Sequence, residues 1–92
     1  MADVRHYLPI SKEAPAYPQR ALDKGIEEDC TVEYSVTPQG KVENPKVVGN
    51  GRPMFMRPSL LAAAPFRYQP RVVDGQAVSV PGVRNTVHYT IQ

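Results

Sequence analysis

The sequence predicts an α+β domain, with a three-stranded antiparallel sheet carrying two short helices packed on one face. Three observations lead there. Polar and apolar residues alternate from Cys30 to Thr37 and again from Val83 to Ile91, the period-two mark of a half-buried strand. Pro38-Gln39-Gly40 is a tight turn, leading into a return strand. Two short helix-forming stretches lie outside the strands. The order is helix, strand, strand, helix, strand, and one sheet with both helices on one side buries every apolar stripe at once.

Each element has its own justification. Residues 1 to 14 have no period and mix charges with Pro9, so they read as an extended lead-in, and the domain proper spans 15 to 92. Pro15 and Pro18 bracket Tyr17. Proline is well placed in a first helical turn, where its missing N–H costs nothing. Residues 18 to 24 are good helix formers closed by Gly25, a natural cap. Only two turns result, so packing through Ala21, Leu22 and Ile26 is expected to hold them. In the first strand Cys30, Val32, Tyr34 and Val36 share one face and Thr31, Glu33, Ser35 and Thr37 the other. Cys30 thus points inward as a small apolar filler.

Lys41 to Val48 returns as the second strand, with Asn44-Pro45 marking an edge or a bulge. After Gly49-Asn50-Gly51, Pro58 is expected to open a helix over Ser59 to Ala64, with Leu60, Leu61 and Ala64 facing the sheet. Pro65 ends or kinks that helix, because a residue before proline is disfavoured in the helical region. Asp74-Gly75 is a hairpin signal, and Pro81-Gly82 a break. In the last strand Val83, Asn85, Val87, Tyr89 and Ile91 take one face and Arg84, Thr86, His88 and Thr90 the other.

Composition narrows the function. Ninety-two residues make one domain, and no stretch approaches the ~18 apolar residues of a membrane span. The net charge of +2 is too small to argue for nucleic acid. Between Glu43 and Asp74, however, there is no acid, while Lys46, Arg52, Arg57, Arg67 and Arg71 are present near Phe66 and Tyr68. Such a stretch could contact phosphate and stack bases, though it reads first as a solvated face whose long side chains cover apolar surface. One cysteine excludes an intrachain disulfide.

Catalysis finds little support. Cys30 and His88 could form a nucleophile–base pair, or join His6 in a metal site, but their strand phases oppose it. Glu27, Glu28 and Asp29 read as a solvated strand terminus, and His88 as a surface strand residue. No catalytic residue, metal or cofactor is assigned.

The ordered set Tyr17-Pro18, Arg20-Ala21, Gly25-Ile26, the strand 31 to 36, the turn ending at Gly40, Lys41-Val42 and Phe66-Arg67-Tyr68-Gln69-Pro70 resembles the C-terminal domain of the TonB family. The resemblance covers residues 15 to 92. Glu28 stands where that family usually has glycine, and Cys30 where an apolar residue is common. The resemblance implies a periplasmic domain of an inner-membrane-anchored energy transducer. The anchor and spacer would then be missing from this chain, and Met1-Ala2-Asp3 would be an artificial start. It also implies that the ExbB/ExbD complex drives the transducer through segments absent here. The partners would be outer-membrane transporters taking up siderophores, haem or vitamins.

In that family the transporter's TonB box adds as a strand beside the domain's last strand. Carried over, the receiving residues are Arg84, Asn85, Thr86, Val87, His88, Tyr89 and Thr90, with Tyr17, Pro18 and Arg20 close to the transporter. The residues themselves agree to this extent: Pro45 spoils the second strand as a template, while nothing from Val83 onward does. The same edge could instead pair with a second copy as a homodimer, or be covered by residues 1 to 14. A structural adaptor resembling the C-terminal domain of TolA is the alternative reading, and a small basic nucleic-acid module a further one. Phe66, Arg67 and Tyr68 are assigned to structure.

Overall fold

The computed structural model describes residues 8–12, 14–49 and 51–92. Residues 1–7, with His6, therefore lie outside the description, as does most of the predicted lead-in. In chain order the elements are α1 (Gln19–Lys24), β1 (Glu28–Val36), β2 (Val42–Val48), α2 (Pro53–Ala63), β3 (Arg71–Val73), β4 (Gln76–Val78) and β5 (Val80–Tyr89). The main sheet is antiparallel in the order β2-β1-β5, and β3 and β4 form a separate two-stranded hairpin.

β1 follows its alternation: Cys30, Val32, Tyr34 and Val36 are all buried, and Cys30 is a small inward filler as expected. That face supports two clusters. Val32, Tyr34 and Val36 pack with Ala63, Phe66, Tyr68, Val80 and Val83. Cys30 packs with Ala21 of α1, Phe55 of α2, Val87 and Tyr89. Side chains from both helices thus meet the inward residues of one strand. Each large side chain buried this way contributes ~1.5–3 kcal/mol.

α1 ends as its sequence dictates. Gly25 adopts the left-handed conformation at φ 65°, its N–H donates to Leu22 and that of Ile26 to Ala21, closing the last turn. Ala21 is fully buried and Ile26 packs at the cluster's margin, but Leu22, expected as an anchor, is 40% exposed. With only six residues the helix presents one side to the sheet, and Ala21 takes it.

α2 departs most from expectation. It opens five residues before Pro58, with Pro53 in its first turn, and Pro58 lies inside it. Its buried residues are Phe55, Ser59, Ala62 and Ala63. The spacing i, i+4, i+7, i+8 sets the helix phase and turns Leu61 out to 64% exposure. Leu60 only fringes the core, and Ala64 is exposed. The expected inward trio Leu60, Leu61 and Ala64 is therefore wrong in phase. The helix does end before Pro65, but Ala64 keeps right-handed helical angles (φ −53°, ψ −43°). It is proline's missing N–H that stops the ladder.

Both edge strands carry a proline at a bulge, at the same level of β1. Glu33 pairs with Lys46 and Ser35 with Glu43, leaving Asn44-Pro45 opposite Tyr34. Tyr34 pairs with Val83 and Val36 with Val80, leaving Pro81-Gly82 opposite Ser35. Asn44 and Gly82 take positive φ, 54° and 68°. Pro81-Gly82 is thus a bulge within β5 rather than a break before it, because a bulged proline forfeits no ladder hydrogen bond. Asp74 and Gly75, both at positive φ, make the expected hairpin turn.

The end of the sheet near the β1–β2 turn is closed by the chain after α2. The Tyr68 N–H donates to the Gly40 carbonyl at 2.9 Å, and the Arg67 backbone exchanges hydrogen bonds with Ser11 of the lead-in. Phe66 and Tyr68 are buried, and the Tyr34 and Tyr68 hydroxyls hydrogen-bond to each other. Burial and then that bond push the Tyr34 hydroxyl well above the ordinary phenol range. The structural assignment of the aromatic pair agrees with this packing. At Gly40, φ is 82° and a Cβ would stand 2.1 Å from the Tyr68 carbonyl oxygen.

Gly40→Ala should therefore be among the costliest single-atom additions in the domain. Strain and overpacking are each worth ~1–3 kcal/mol, so the melting temperature should fall by about 10 °C or more. The same change at Gly49, which has positive φ but open space around it, should cost less. Equal losses at the two positions, measured by thermal melts, would exclude the close contact as the cause.

Candidate partner-binding edge

β5 lies beside β1 on one side only, and among the described residues no strand pairs with its other side. In an antiparallel ladder alternate residues direct their N–H and C=O groups to opposite sides. Half of the β5 backbone groups past the bulge are thus aimed away from β1. Of the seven predicted receiving residues, Arg84 to Tyr89 lie in the strand, in register with Glu33 to Glu28. Thr90 lies just past its end, where the Glu27 carboxylate accepts a hydrogen bond from the Ile91 N–H at 2.7 Å.

The two faces of β5 differ in kind. Val83, Val87 and Tyr89 are buried inward. Asn85, on the same face opposite Val32, is half-buried, and its Oδ1 is buried without a hydrogen-bond partner. Outward, each side chain meets its cross-strand neighbour. His88 Nδ1 lies 2.7 Å from Asp29 Oδ1, Thr86 Oγ1 lies 2.7 Å from Thr31 Oγ1, and Arg84 Nε donates to Glu33 at 2.8 Å. Lys46 reaches Glu33 from β2 at 3.6 Å. The Arg84 hydrogen bond, with the charges of Arg84 and Lys46, holds the Glu33 carboxyl below its usual range against an opposing desolvation.

Tyr17 is joined to this strand. Its ring meets Tyr89 edge-on at 5.5 Å and Phe55 at 6.1 Å, and its hydroxyl donates to the Ile26 carbonyl at 2.5 Å. Desolvation, then the Glu27 charge, raises the Tyr17 hydroxyl above the ordinary phenol range. Ser59 bridges the cluster, donating to the Phe55 carbonyl and sharing a 2.8 Å bond with the Tyr89 hydroxyl. Pro18 precedes α1, and Arg20 is exposed on that helix, one residue before the buried Ala21.

Part of the lead-in lies beside the edge, in the direction of the alternative that residues 1 to 14 cover it. Lys12, Ala14 and Pro15 run alongside Thr86, Val87 and His88, with Phe66 between, around a groove of ≈ 350 Å³. Lys12 and Ala14 of the lead-in thus flank the edge.

Cys30 and His88 are on opposite faces, and Cys30 pairs in register with Val87. Among the described residues no cluster of His, Cys, Asp or Glu is arranged to hold a metal. The acidic run is more than a solvated terminus: Glu28 accepts from the Arg52 N–H and guanidinium, both at 2.8 Å, at the start of α2. Asp29 and Glu27 hold His88 and Ile91. The basic stretch is dispersed, with Lys46 on Glu33, Arg52 on Glu28 and Arg67 donating to the Pro65 and Phe66 carbonyls.

Residues 13–91 match the family model described as Gram-negative bacterial TonB protein C-terminal. Protein TonB of Pseudomonas aeruginosa is 32% identical over 72 residues, covering 77% of this chain. The chain spans only 21% of that relative's length. The solution NMR structure of the Pseudomonas aeruginosa TonB C-terminal domain superposes with a TM-score of 0.73 at 28% identity, covering 92% of this chain and 86% of that one. A structure of the TonB2 protein from Vibrio anguillarum gives 0.68 at 33% identity, covering 100% and 88%.

Because the Glu33 carboxyl is depressed in the folded state, its contribution is present above the unfolded carboxylate range and lost as pH falls through the folded value. Glu33→Gln should lower the melting temperature slightly near pH 7, and the difference from wild type should close as the pH falls below the ordinary carboxylate range. A difference that persists unchanged at acid pH would show that Glu33 acts through packing rather than charge.

Proposed function

The chain belongs to the TonB C-terminal family, and from that membership we propose that it is the periplasmic receptor-binding domain of an inner-membrane-anchored energy transducer. It takes the TonB box of outer-membrane transporters as an added strand on β5. The single observation that supports this most is the side of β5 from Val83 to Tyr89 that no strand among the described residues occupies, regular in register and free of proline. Tyr17, packed on Tyr89, and Arg20 on α1 extend the contact toward the transporter body. An exposed Arg20 ion pair would add only ~0–1 kcal/mol.

Energies suit a reversible grip. Each added ladder hydrogen bond nets ~0.5–1.5 kcal/mol, and ordering the guest returns part of that gain. Free affinity then falls in about the micromolar range, and tethering both partners to the envelope raises it effectively. Strand addition reads backbone more than side chain, so one domain serves several transporters of iron carriers, haem or vitamins. Force comes from the proton-driven ExbB/ExbD motor of the inner membrane, through other parts of the transducer.

The test is an NMR titration with synthetic TonB-box peptides beside scrambled controls. Saturable amide shifts along Arg84 to Tyr89 are expected with the box peptides, and Thr86→Pro should abolish them while the far strand β2 keeps its dispersion. A titration that leaves the β5 amides unmoved with every box peptide would overturn the reading.

A further inference from the structure

Asn85 is an anomaly on the inner face of β5. Its neighbours on that face, Val83 and Val87, are buried, and across the strand pair it faces Val32, which is fully buried. The other polar group on this face, the Tyr89 hydroxyl, has Ser59 as its partner. The Asn85 Oδ1 has none, although it is out of reach of solvent. A buried acceptor left unpaired is costly, and such groups in native folds call for an explanation.

The position that would supply a donor lies on the side of β5 away from β1. A strand added there places one residue directly opposite Asn85. Its side chain emerges on the same inner face, with Cβ atoms ~4.5–5.5 Å apart. That is hydrogen-bonding reach for Gln, Asn, Ser or Thr. The groove lined by Thr86, Val87 and His88 with Lys12, Ala14 and Pro15 begins at the next residue along the strand.

We propose that Asn85 determines specificity: it selects guest strands whose residue opposite it donates a hydrogen bond, and discriminates against aliphatic residues of the same size there. This rests on the strand-addition reading given above. In the free domain Oδ1 is shielded and unpaired; rotation of the half-buried Asn85 amide about its Cβ–Cγ bond presents the oxygen to a guest donor, whereas a guest with an apolar residue at that position leaves it unpaired.

The experiment uses the 92-residue chain and TonB-box heptapeptides in which each position in turn carries Gln or its near-isostere Met. Wild type should show one position at which Gln binds roughly tenfold tighter than Met, the scale of one buried hydrogen bond. In Asn85→Val that ratio should fall to near one, while the free variant melts at a higher temperature because the orphan acceptor is gone. Asn85→Ala, measured in parallel, gives the same answer if the valine variant does not fold. Binding along β5 with the same ratio in wild type and both variants would overturn the role of Asn85 and leave strand addition standing. No shift of the β5 amides with any peptide would overturn both.

Discussion

The domain is organised by β1, the one strand among the described residues with a neighbour on each side. Its inward face must satisfy two clusters at once: Cys30 belongs to the one built by α1, Phe55 and Tyr89, and Val32, Tyr34 and Val36 to the one built by Phe66 and Tyr68. A shift of β1 by one residue would turn every one of these side chains to solvent. With β1 fixed in the middle, β2 and β5 have to be the edges. The difference between them then follows from local chemistry. Pro45 interrupts β2 near its centre, whereas Pro81 sits near the start of β5 and leaves a regular run to Tyr89.

Much of this was legible in the residues. The period-two run of β1, the Gly25 cap, the turn at Gly40, the bulge at Asn44-Pro45 and the Asp74-Gly75 hairpin all rest on local rules that nothing distant overrides. α2 was misread because proline carries two meanings. Pro58 looks like a helix opener, and Pro53 already fills that role; the phase is decided by Phe55, whose buried place depends on Tyr17 and Tyr89, far away in sequence. Leu22 and Leu61 were expected inside for their hydrophobicity, but a short helix on a sheet buries one narrow stripe, held by Ala21 in α1 and by Phe55, Ser59, Ala62 and Ala63 in α2.

The candidate site was legible in outline only. An edge strand can be inferred from alternation and the absence of proline, and an asparagine in an apolar stripe is visible on paper. Covering of that edge by the lead-in stood only as one alternative among several, since the backbone hydrogen bonds between Ser11 and Arg67 that place it are encoded by no side chain. The acids at the start of β1 likewise gain their roles only when Arg52, His88 and Ile91 arrive from elsewhere in the chain.

The outward face of β5 has a mechanical consequence. Three cross-strand pairs, His88 with Asp29, Thr86 with Thr31 and Arg84 with Glu33, stand at intervals of two residues. A load drawn along β5 can displace it against β1 only in steps of two, because a step of one would invert its faces. A two-residue step toward Glu33 sets His88 against Thr31 and Thr86 against Glu33, while one in the opposite direction sets Arg84 against Thr31 and Thr86 against Asp29. Either way all three pairs break together. The strand therefore resists shear as a single catch, and tension reaching it is passed to the core of the sheet before the strand can slide.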